Sequence, residues 1–125
     1  MNSFEDVEVW KECSRFRIEV SKLVKTFPPE EKYRLVDQLI RASRSVTANI
    51  AEGHGRFHYQ ENIQFCRQAR GSLNEVLDHL ICAHDEGLVK DNPMEEIRMI
   101  FSNCLKLLNG YILFLKKKKT EVGTG

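Results

Sequence analysis

Apolar side chains recur at intervals of three and four residues along almost the whole chain, a spacing that places them on one face of an α-helix. Four such stripes can be traced, and the breaks between them fall at Pro28-Pro29, Gly53-His54-Gly55 and Gly87. The stripes predict helices over about residues 5–25, 29–52, 58–86 and 92–119. No segment alternates apolar and polar residues between hairpin turns, so no strand is expected. Because short connections make neighbouring helices antiparallel, the sequence predicts an all-α, up-down-up-down four-helix bundle.

The length of 125 residues suits a single domain, expected over residues 1–119, with a flexible tail at 120–125. Charged residues make up 30% of the chain and apolar residues 42%, the balance of a globular protein. No apolar run reaches the roughly 20 residues of a membrane span, and the N-terminus lacks the pattern of a secretion signal. We therefore expect a cytoplasmic protein without a membrane partner, whose four cysteines stay reduced.

The net charge of +1 hides an uneven distribution along the chain. Residues 32–70 carry seven basic and three acidic side chains, and residues 116–125 carry four and one. Residues 1–31 and 71–115 are acidic instead, with net charges of −2 and −4. Since clustered positive charge attracts nucleic acid whatever its sequence, the basic block and basic tail weakly indicate a polyanionic partner.

The fourth predicted helix carries more apolar side chains than one core face can absorb. Beside its main stripe, Ile100, Leu107 and Phe114 form a second row with a spacing of seven residues. Large exposed apolar patches mark association sites, so this row is the predicted interface between copies of the chain. The alternative is a broad core face with a few scattered exposed leucines.

Patterns that indicate catalysis or metal binding are sparse. Gly53-His54-Gly55 follows a helix and lacks the strand, lysine and hydroxyl residue of a phosphate-binding loop. His79 and Cys82 share a helix face, but a zinc site needs three or four protein ligands. No convergent set of acid, base and nucleophile is visible. We therefore expect a protein that is not an enzyme and uses no metal or cofactor.

Polar residues interrupt the second and third predicted helices where a bundle would hold large aliphatic side chains. Because a buried arginine needs a carboxylate partner, we expect a polar network that fixes the helix register and the tight turn. The alternative is that the arginines present their donors to phosphate groups. The predicted network consists of Arg41, Asn49, Glu52, Gly53, Ser72 and Glu75.

Three local features of the helices are predicted from glycine and asparagine residues. Gly53 and Gly55 are expected to end the second helix in the left-handed conformation. Gly71, in the middle of the third helix, predicts the close approach of another helix or a backbone contact. Asn92 is the predicted N-cap of the fourth helix.

The stretch QLIRASRSVTANIAEGHGR, followed by FCRQARGSLNEVL, resembles the four-helix-bundle proteins encoded by intervening sequences within bacterial 23S ribosomal RNA genes. The resemblance covers about residues 3–117. Arg44 departs from the pattern, because an aliphatic residue is more usual at that position. The most specific matches are Asn49-Ile50-Ala51-Glu52-Gly53 with Gly55-Arg56, and Gly71-Ser72 with Glu75.

That resemblance implies a homo-oligomeric bundle, expected as a five-membered ring, that binds RNA or other nucleic acid and has no enzymatic activity. The candidate phosphate contacts are Arg44, Arg56, His58, Arg67, Arg70, Lys116, Lys117, Lys118 and Lys119. A related branch resembles the accessory proteins of diversity-generating retroelements, which partner a reverse transcriptase. A protein-interaction scaffold, docking through the acidic segment 71–115 and the corner 53–59, is therefore the second function considered.

Overall fold

The computed structural model describes residues 3–123 as four α-helices and two short 3-10 turns, with no strand in that part of the chain. Each helix packs along the next and α1 also packs along α4, so the four helices surround one core. This arrangement confirms the predicted all-α four-helix bundle. The helices are α1 (Glu8–Val24), α2 (Leu35–His54), α3 (Tyr59–Asp85) and α4 (Asp91–Val122).

The core consists of the helical stripes seen in the sequence. α1 and α2 contribute Phe16 and Leu39, and α3 and α4 contribute Leu80 and Leu108, all of them fully buried. Burying a side chain of this size stabilises a fold by about 1.5–3 kcal/mol relative to leaving it in water. The bundle therefore draws its stability from four apolar faces that meet along its axis.

Both N-terminal helices begin later than the sequence predicted. Phe4–Asp6 form a 3-10 turn before α1, and Pro29–Glu31 form another before α2. Arg34 then takes a non-helical conformation, with φ −120° and ψ −109°, so the regular α2 helix begins only at Leu35. Periodicity alone cannot separate a 3-10 turn from the first turn of an α-helix.

α4 is longer than predicted at both ends. It begins at Asp91 with Lys90 as its N-cap, so the prediction that Asn92 caps it is wrong. It continues to Val122 and ends at Gly123, whose φ of 68° is left-handed. Lysines near the negative end of the helix dipole favour this extension. Residues 120–122 are thus helical rather than a flexible tail, and residues 1–2 and 124–125 lie outside the described residues.

Gly53 is required by packing and not by a turn. It lies within α2, and a Cβ atom there would be 2.6 Å from Asn62 Oδ1 and 2.9 Å from Phe65 Cβ. The predicted left-handed end of α2 is wrong, because Gly55 has a φ of −78°. Gly71 faces open space, so the close approach predicted there is absent from the subunit.

Candidate nucleic-acid interface

Hydrogen bonds join α3 to α4 along one seam of the bundle, here called the α3–α4 groove and defined by Gln60, Arg67, Arg70, Asn109, Lys116 and Lys119. Arg70 Nη1 donates to Asn109 Oδ1 at 2.7 Å, and Lys119 Nζ donates to Gln60 Oε1 at 2.7 Å. Arg67 and Lys116 are exposed and lie along the helices between these two bonds. The bonds orient the end cations through neutral amide oxygens, which leave their positive charge uncancelled.

None of the ion pairs among the described residues includes a cation of this groove. Within residues 3–123, Arg67, Arg70, Lys116, Lys117 and Lys119 have no carboxylate at ion-pair distance. Lys118, by contrast, lies 3.5 Å from Glu121 Oε1. The sequence-predicted phosphate contacts on α3 and at the end of α4 therefore form a positive surface that carries little compensation of its own.

The α2–α3 corner adjoins the end of this groove. A pocket of about 320 Å³ opens there, and Phe57 at its rim is 91% exposed. Exposed aromatic rings beside cations are the combination on which unpaired bases stack in single-strand-binding proteins. The pocket is lined by His54, Arg56, Phe57, His58, Tyr59, Asn62, Tyr111, Phe114 and Leu115.

Two basic residues of the corner have partners that fix them. Arg56 Nη2 donates to Glu52 Oε2 at 2.8 Å, and its guanidinium lies 4.8 Å from the centre of the Phe65 ring. His58 is exposed, and its ring meets Phe57 edge-on at 4.9 Å. The charge of Arg56 is thus partly neutralised, whereas His58 is open to a ligand.

Tyr111 lines the corner pocket and is half-buried. Asn62 Nδ2 donates to Tyr111 Oη at 3.3 Å, and burial raises the pKa of the Tyr111 hydroxyl. Its ring stacks on Phe114 with a separation of 6.3 Å. A protonated hydroxyl and a stacked ring pair give this pocket an amphipathic lining.

The predicted polar network is smaller than expected and contains no arginine. Ser45 Oγ and Ser72 Oγ are 2.8 Å apart, and Asn49 Nδ2 donates to the Ser45 carbonyl at 2.9 Å. Arg41 was wrongly placed in the network: its side chain is 81% exposed and lies 3.4 Å from Asp37. Position 41 points to solvent, so no buried carboxylate is needed.

The two glutamates of that predicted network lie at the surface. Glu52 pairs with Arg56, and Glu75 Oε2 lies 3.3 Å from His79 Nε2. Glu75 pairs within α3, and Glu52 pairs with Arg56 in the connection after α2, so neither glutamate bonds to a side chain of the other helix. A hydrogen bond between Ser45 and Ser72 links the two helices, and Gly53 lets them approach closely.

The predicted apolar row on α4 turns gradually out of the core. Ile100 is 9% exposed, Leu107 39% and Phe114 50%. Ile100 is therefore a core residue, and its assignment to an interface between copies is wrong. A straight helix drifts by about 20° per heptad, so a row spaced by seven cannot stay on one face. The sequence missed Met99 and Leu113, which are exposed on the same helix.

Arg44 lies apart from the other candidate contacts. It is exposed on the α1–α2 side of the bundle, where it lines a hollow with Arg17. Sequence reasoning missed Arg17, which is half-buried and donates from Nη1 to Thr47 Oγ1 at 2.8 Å. A helical count along the polar side of α1 would have placed Arg17 beside α2, but the acidic sum of residues 1–31 concealed it.

The buried cysteines are poorly suited to nucleophilic chemistry. Burial raises the pKa of the Cys66 thiol to about 12. A hydrogen bond with Cys13, together with burial, raises the pKa of Cys104. Since the thiolate is the reactive form, both thiols are unreactive near neutral pH.

The described residues contain neither a cluster of metal ligands nor a helix suited to crossing a membrane. Between Ser3 and Gly123, no three His, Cys, Asp or Glu side chains are grouped so that they could hold a metal ion. No helix in that range has both the length and the apolarity needed to cross a membrane.

Comparison with known proteins identifies the fold and the family of the chain. Its fold matches the crystal structure of a protein of unknown function from the S23 ribosomal protein family of Bacteroides thetaiotaomicron. The two share 23% identity and a TM-score of 0.77 over 83% of this chain and 94% of that one, a likeness of fold. No curated protein matches significantly. A family model described as 23S rRNA-intervening sequence protein matches residues 5–110, and the chain belongs to that family.

Proposed function

We propose that this protein is a self-associating, non-enzymatic protein that binds RNA or another nucleic acid through its phosphate groups. One observation carries the proposal: the cations of the α3–α4 groove are unpaired or are held by neutral amides. A cation that is positioned but not neutralised can release counterions when it binds a phosphate. The proposal places the protein in the cytoplasm, where its thiols stay reduced.

The geometry suits single-stranded or looped nucleic acid. The groove supplies a line of positive charge for the backbone, and Phe57 at its end offers a ring for an unpaired base. Phosphate contacts position a strand without specifying its sequence, so we expect modest sequence preference. Candidate contacts in this arrangement are Arg67, Arg70, Lys116 and Lys119, with His58 at the corner.

Self-association is proposed through the exposed apolar strip of α4, defined as Met99, Leu107, Leu113 and Phe114. Gly110 lies among these residues and has open space in front of its Cα, so another helix can approach closely. The occupant is a second copy of the chain, and the family resemblance implies five copies in a ring. Such a ring would bring the grooves of neighbouring subunits together and multiply their charge.

RNA binding is tested by fluorescence anisotropy with labelled single-stranded RNA and with structured fragments of ribosomal RNA. The Arg67→Gln/Lys116→Gln variant should bind more weakly, and its slope of log Kd against log salt should be smaller by about 1.4. Lys90→Gln/Arg98→Gln removes the same charge near the other end of α4 and is the matched control. Equal behaviour of the two variants, or no RNA binding by the wild type, would reject the proposal.

Self-association is tested by native mass spectrometry. Leu113→Glu should convert the assembly to monomers, because a buried charge opposes an apolar contact. Gln38→Glu adds the same charge at an exposed position of α2, away from this strip, and should leave the assembly intact. A wild-type protein that is monomeric at micromolar concentration would contradict the self-association.

A second candidate is a scaffold for a basic protein such as a reverse transcriptase. It is favoured by the exposed carboxylates of Asp78 and Asp85 on the C-terminal half of α3 and of Glu86 directly after it. The test is a pull-down of a purified basic partner after nuclease treatment. Retained binding that is lost in Asp78→Asn/Asp85→Asn would favour the scaffold.

A further inference from the structure

Two adjoining hollows lie between α1 and α2, and together they form what is here called the α1–α2 groove. The larger has a volume of about 370 Å³ and is lined by Phe4, Trp10, Arg17, Arg44, Thr47, Ala48 and Ala51. The smaller has a volume of about 150 Å³ and is lined by Arg17, Ile18, Ser21, Ile40, Ser43 and Arg44. Both hollows share the two arginines, and neither lining includes an aspartate or glutamate.

Arg17 is held in place by hydroxyl groups. Its Nη1 donates to Thr47 Oγ1 at 2.8 Å and its Nη2 to Ser14 Oγ at 3.0 Å. Thr47 in turn donates to the Arg44 carbonyl at 3.3 Å, so its hydroxyl is oriented to accept from Arg17. A guanidinium has five N–H donors, and three remain after these two bonds.

Arg17 is half-buried and has no carboxylate partner, as is also true of Arg70 on α3. Arg15, Arg41 and Arg56 each lie within 3.4 Å of an acidic side chain. Neither Arg17 nor Arg44 has such a partner within residues 3–123. Because burying an unpaired charge costs free energy, the arrangement is accounted for if an outside anion completes it.

The aromatic lining indicates what accompanies the anion. Trp10 lines the larger hollow, and Phe4 packs edge-on against it at 5.2 Å. Ala48 and Ala51 keep the α2 side of the hollow open because their side chains are short. A volume of about 370 Å³ with an indole on one side and guanidinium groups on another suits a nucleobase attached to a phosphate.

We propose that the α1–α2 groove binds one nucleotide, with its phosphate on Arg17 and Arg44 and its base against Trp10. The inference rests on the proposed function, since the nucleotide is taken to be a unit of a bound RNA strand. A free nucleoside monophosphate has the same chemistry and would occupy the same site. Arg17 supplies the fixed, forked donors, and Arg44 closes on the phosphate from the solvent side.

Trp10 makes this site directly observable, because it is the only tryptophan of the chain. Its fluorescence is titrated with AMP, adenosine, inorganic phosphate and a short single-stranded RNA. We expect AMP to change the emission at lower concentration than either adenosine or phosphate, because only AMP engages both parts of the site. The RNA should produce the same change. Comparing the RNA titration with the AMP titration separates binding of a strand from binding of a free nucleotide.

Variants separate this site from general charge effects. Arg17→Gln and Arg44→Gln should each weaken the AMP-dependent change about tenfold. Arg17→Lys keeps the charge but loses the fork and should weaken it severalfold. Arg15→Gln is the matched control on the outer face of α1 and should behave like the wild type. Circular dichroism establishes that each variant is folded.

The outcomes distinguish the nucleotide site from the proposed function. If RNA binds by anisotropy while Trp10 emission is unchanged and Arg17→Gln binds like Arg15→Gln, the nucleotide site is rejected and RNA binding stands. If AMP changes the emission in an Arg17-dependent way while no RNA binds, the site stands and the proposed function fails. An emission change of equal size in Arg17→Gln and the wild type would also overturn the site.

Discussion

The two grooves that flank α1 differ in whether their basic side chains are accompanied by acidic ones. The groove between α1 and α4 holds a hollow of about 200 Å³, lined by Glu19, Lys22, Leu23, Pro93, Glu96, Ile97 and Ile100. There Lys22 Nζ lies 3.4 Å from Glu19 Oε2, so both signs of charge are present. The α1–α2 groove places Arg17 and Arg44 among hydroxyls and alanines, with no acidic side chain in its lining.

This difference in charge compensation indicates which of the two grooves would bind an anion from outside the chain. A surface ion pair between neighbouring helix turns contributes little to stability and leaves little net field. A positioned guanidinium without a carboxylate leaves a net positive field in its groove, which attracts an anion. Of the two grooves, only the one beside α2 is therefore predicted to bind a phosphate.

The largest effect should follow from giving the α1–α2 groove the acidic group that it lacks. Ala48→Glu places a carboxylate beside Arg17 and Arg44, so it should weaken nucleotide binding about a hundredfold. The measurement is the AMP titration of Trp10 fluorescence. Ser102→Glu, with the same added charge on α4, is the control. Unchanged affinity in Ala48→Glu would show that the phosphate does not bind at these arginines.

Alkaline pH should act on the α1–α4 side of the bundle, where Cys13 and Cys104 meet. The pKa of Cys104 is raised in the folded protein, so the unfolded chain loses this proton first as pH rises above the ordinary value of 9.0. The thiol's contribution to stability is thus complete below that pH and is lost above it, by up to about 1.4 kcal/mol per pH unit.

Urea unfolding at several pH values measures this loss. Cys104→Ala should unfold more easily at neutral pH because of the cavity, but its stability should fall less steeply above pH 9.0. Thr47→Val, on the α1–α2 side, should keep the wild-type slope. An identical alkaline slope in the wild type and Cys104→Ala would contradict the prediction.

Thr47→Val should sharpen the comparison by releasing Arg17 without removing any charge. We expect nucleotide affinity to fall about fivefold and unfolding free energy to fall by about 1.5 kcal/mol, because one hydrogen bond to a charged group is lost. Fluorescence titration and urea unfolding measure the two effects. Full affinity in a folded Thr47→Val protein would show that the hydroxyl does not position the guanidinium.

The smallest effect is expected in the groove between α1 and α4, where the basic side chain already has an acidic partner. Lys22→Gln removes a positive charge that already has Glu19 as its partner. RNA affinity should change less than about twofold and stability by no more than about 0.5 kcal/mol. The same two assays measure both. A loss as large as that of Arg17→Gln would show that net charge alone, and not its local compensation, governs binding.

The fold was largely predictable because helical periodicity reports burial directly. The four stripes and the Pro and Gly breaks predicted the four helices and their order. The errors came from effects that periodicity does not record: the 3-10 turn at Pro29–Glu31, and the heptad drift that buries Ile100 but exposes Phe114. The packing role of Gly53 depends on α3, which lies elsewhere in the sequence.

The candidate site was predictable only in part. Arg67 and Arg70 stood out in a basic block, and the structure places them along one groove with Lys116 and Lys119. Arg17 did not stand out, because a charge sum over residues 1–31 averages the faces of α1. Which side of a helix a charge occupies, and whether a carboxylate faces it, depends on neighbouring helices.

The salt dependence of RNA binding tests most directly whether uncompensated cations bind phosphate. The dissociation constant of the wild-type protein for a labelled single-stranded RNA is measured between about 50 and 200 mM salt. A steep linear loss of log affinity with log salt is predicted, with a slope of about −0.7 for each phosphate contact. Affinity that stays flat over this range, or the absence of binding at its low end, would contradict phosphate recognition.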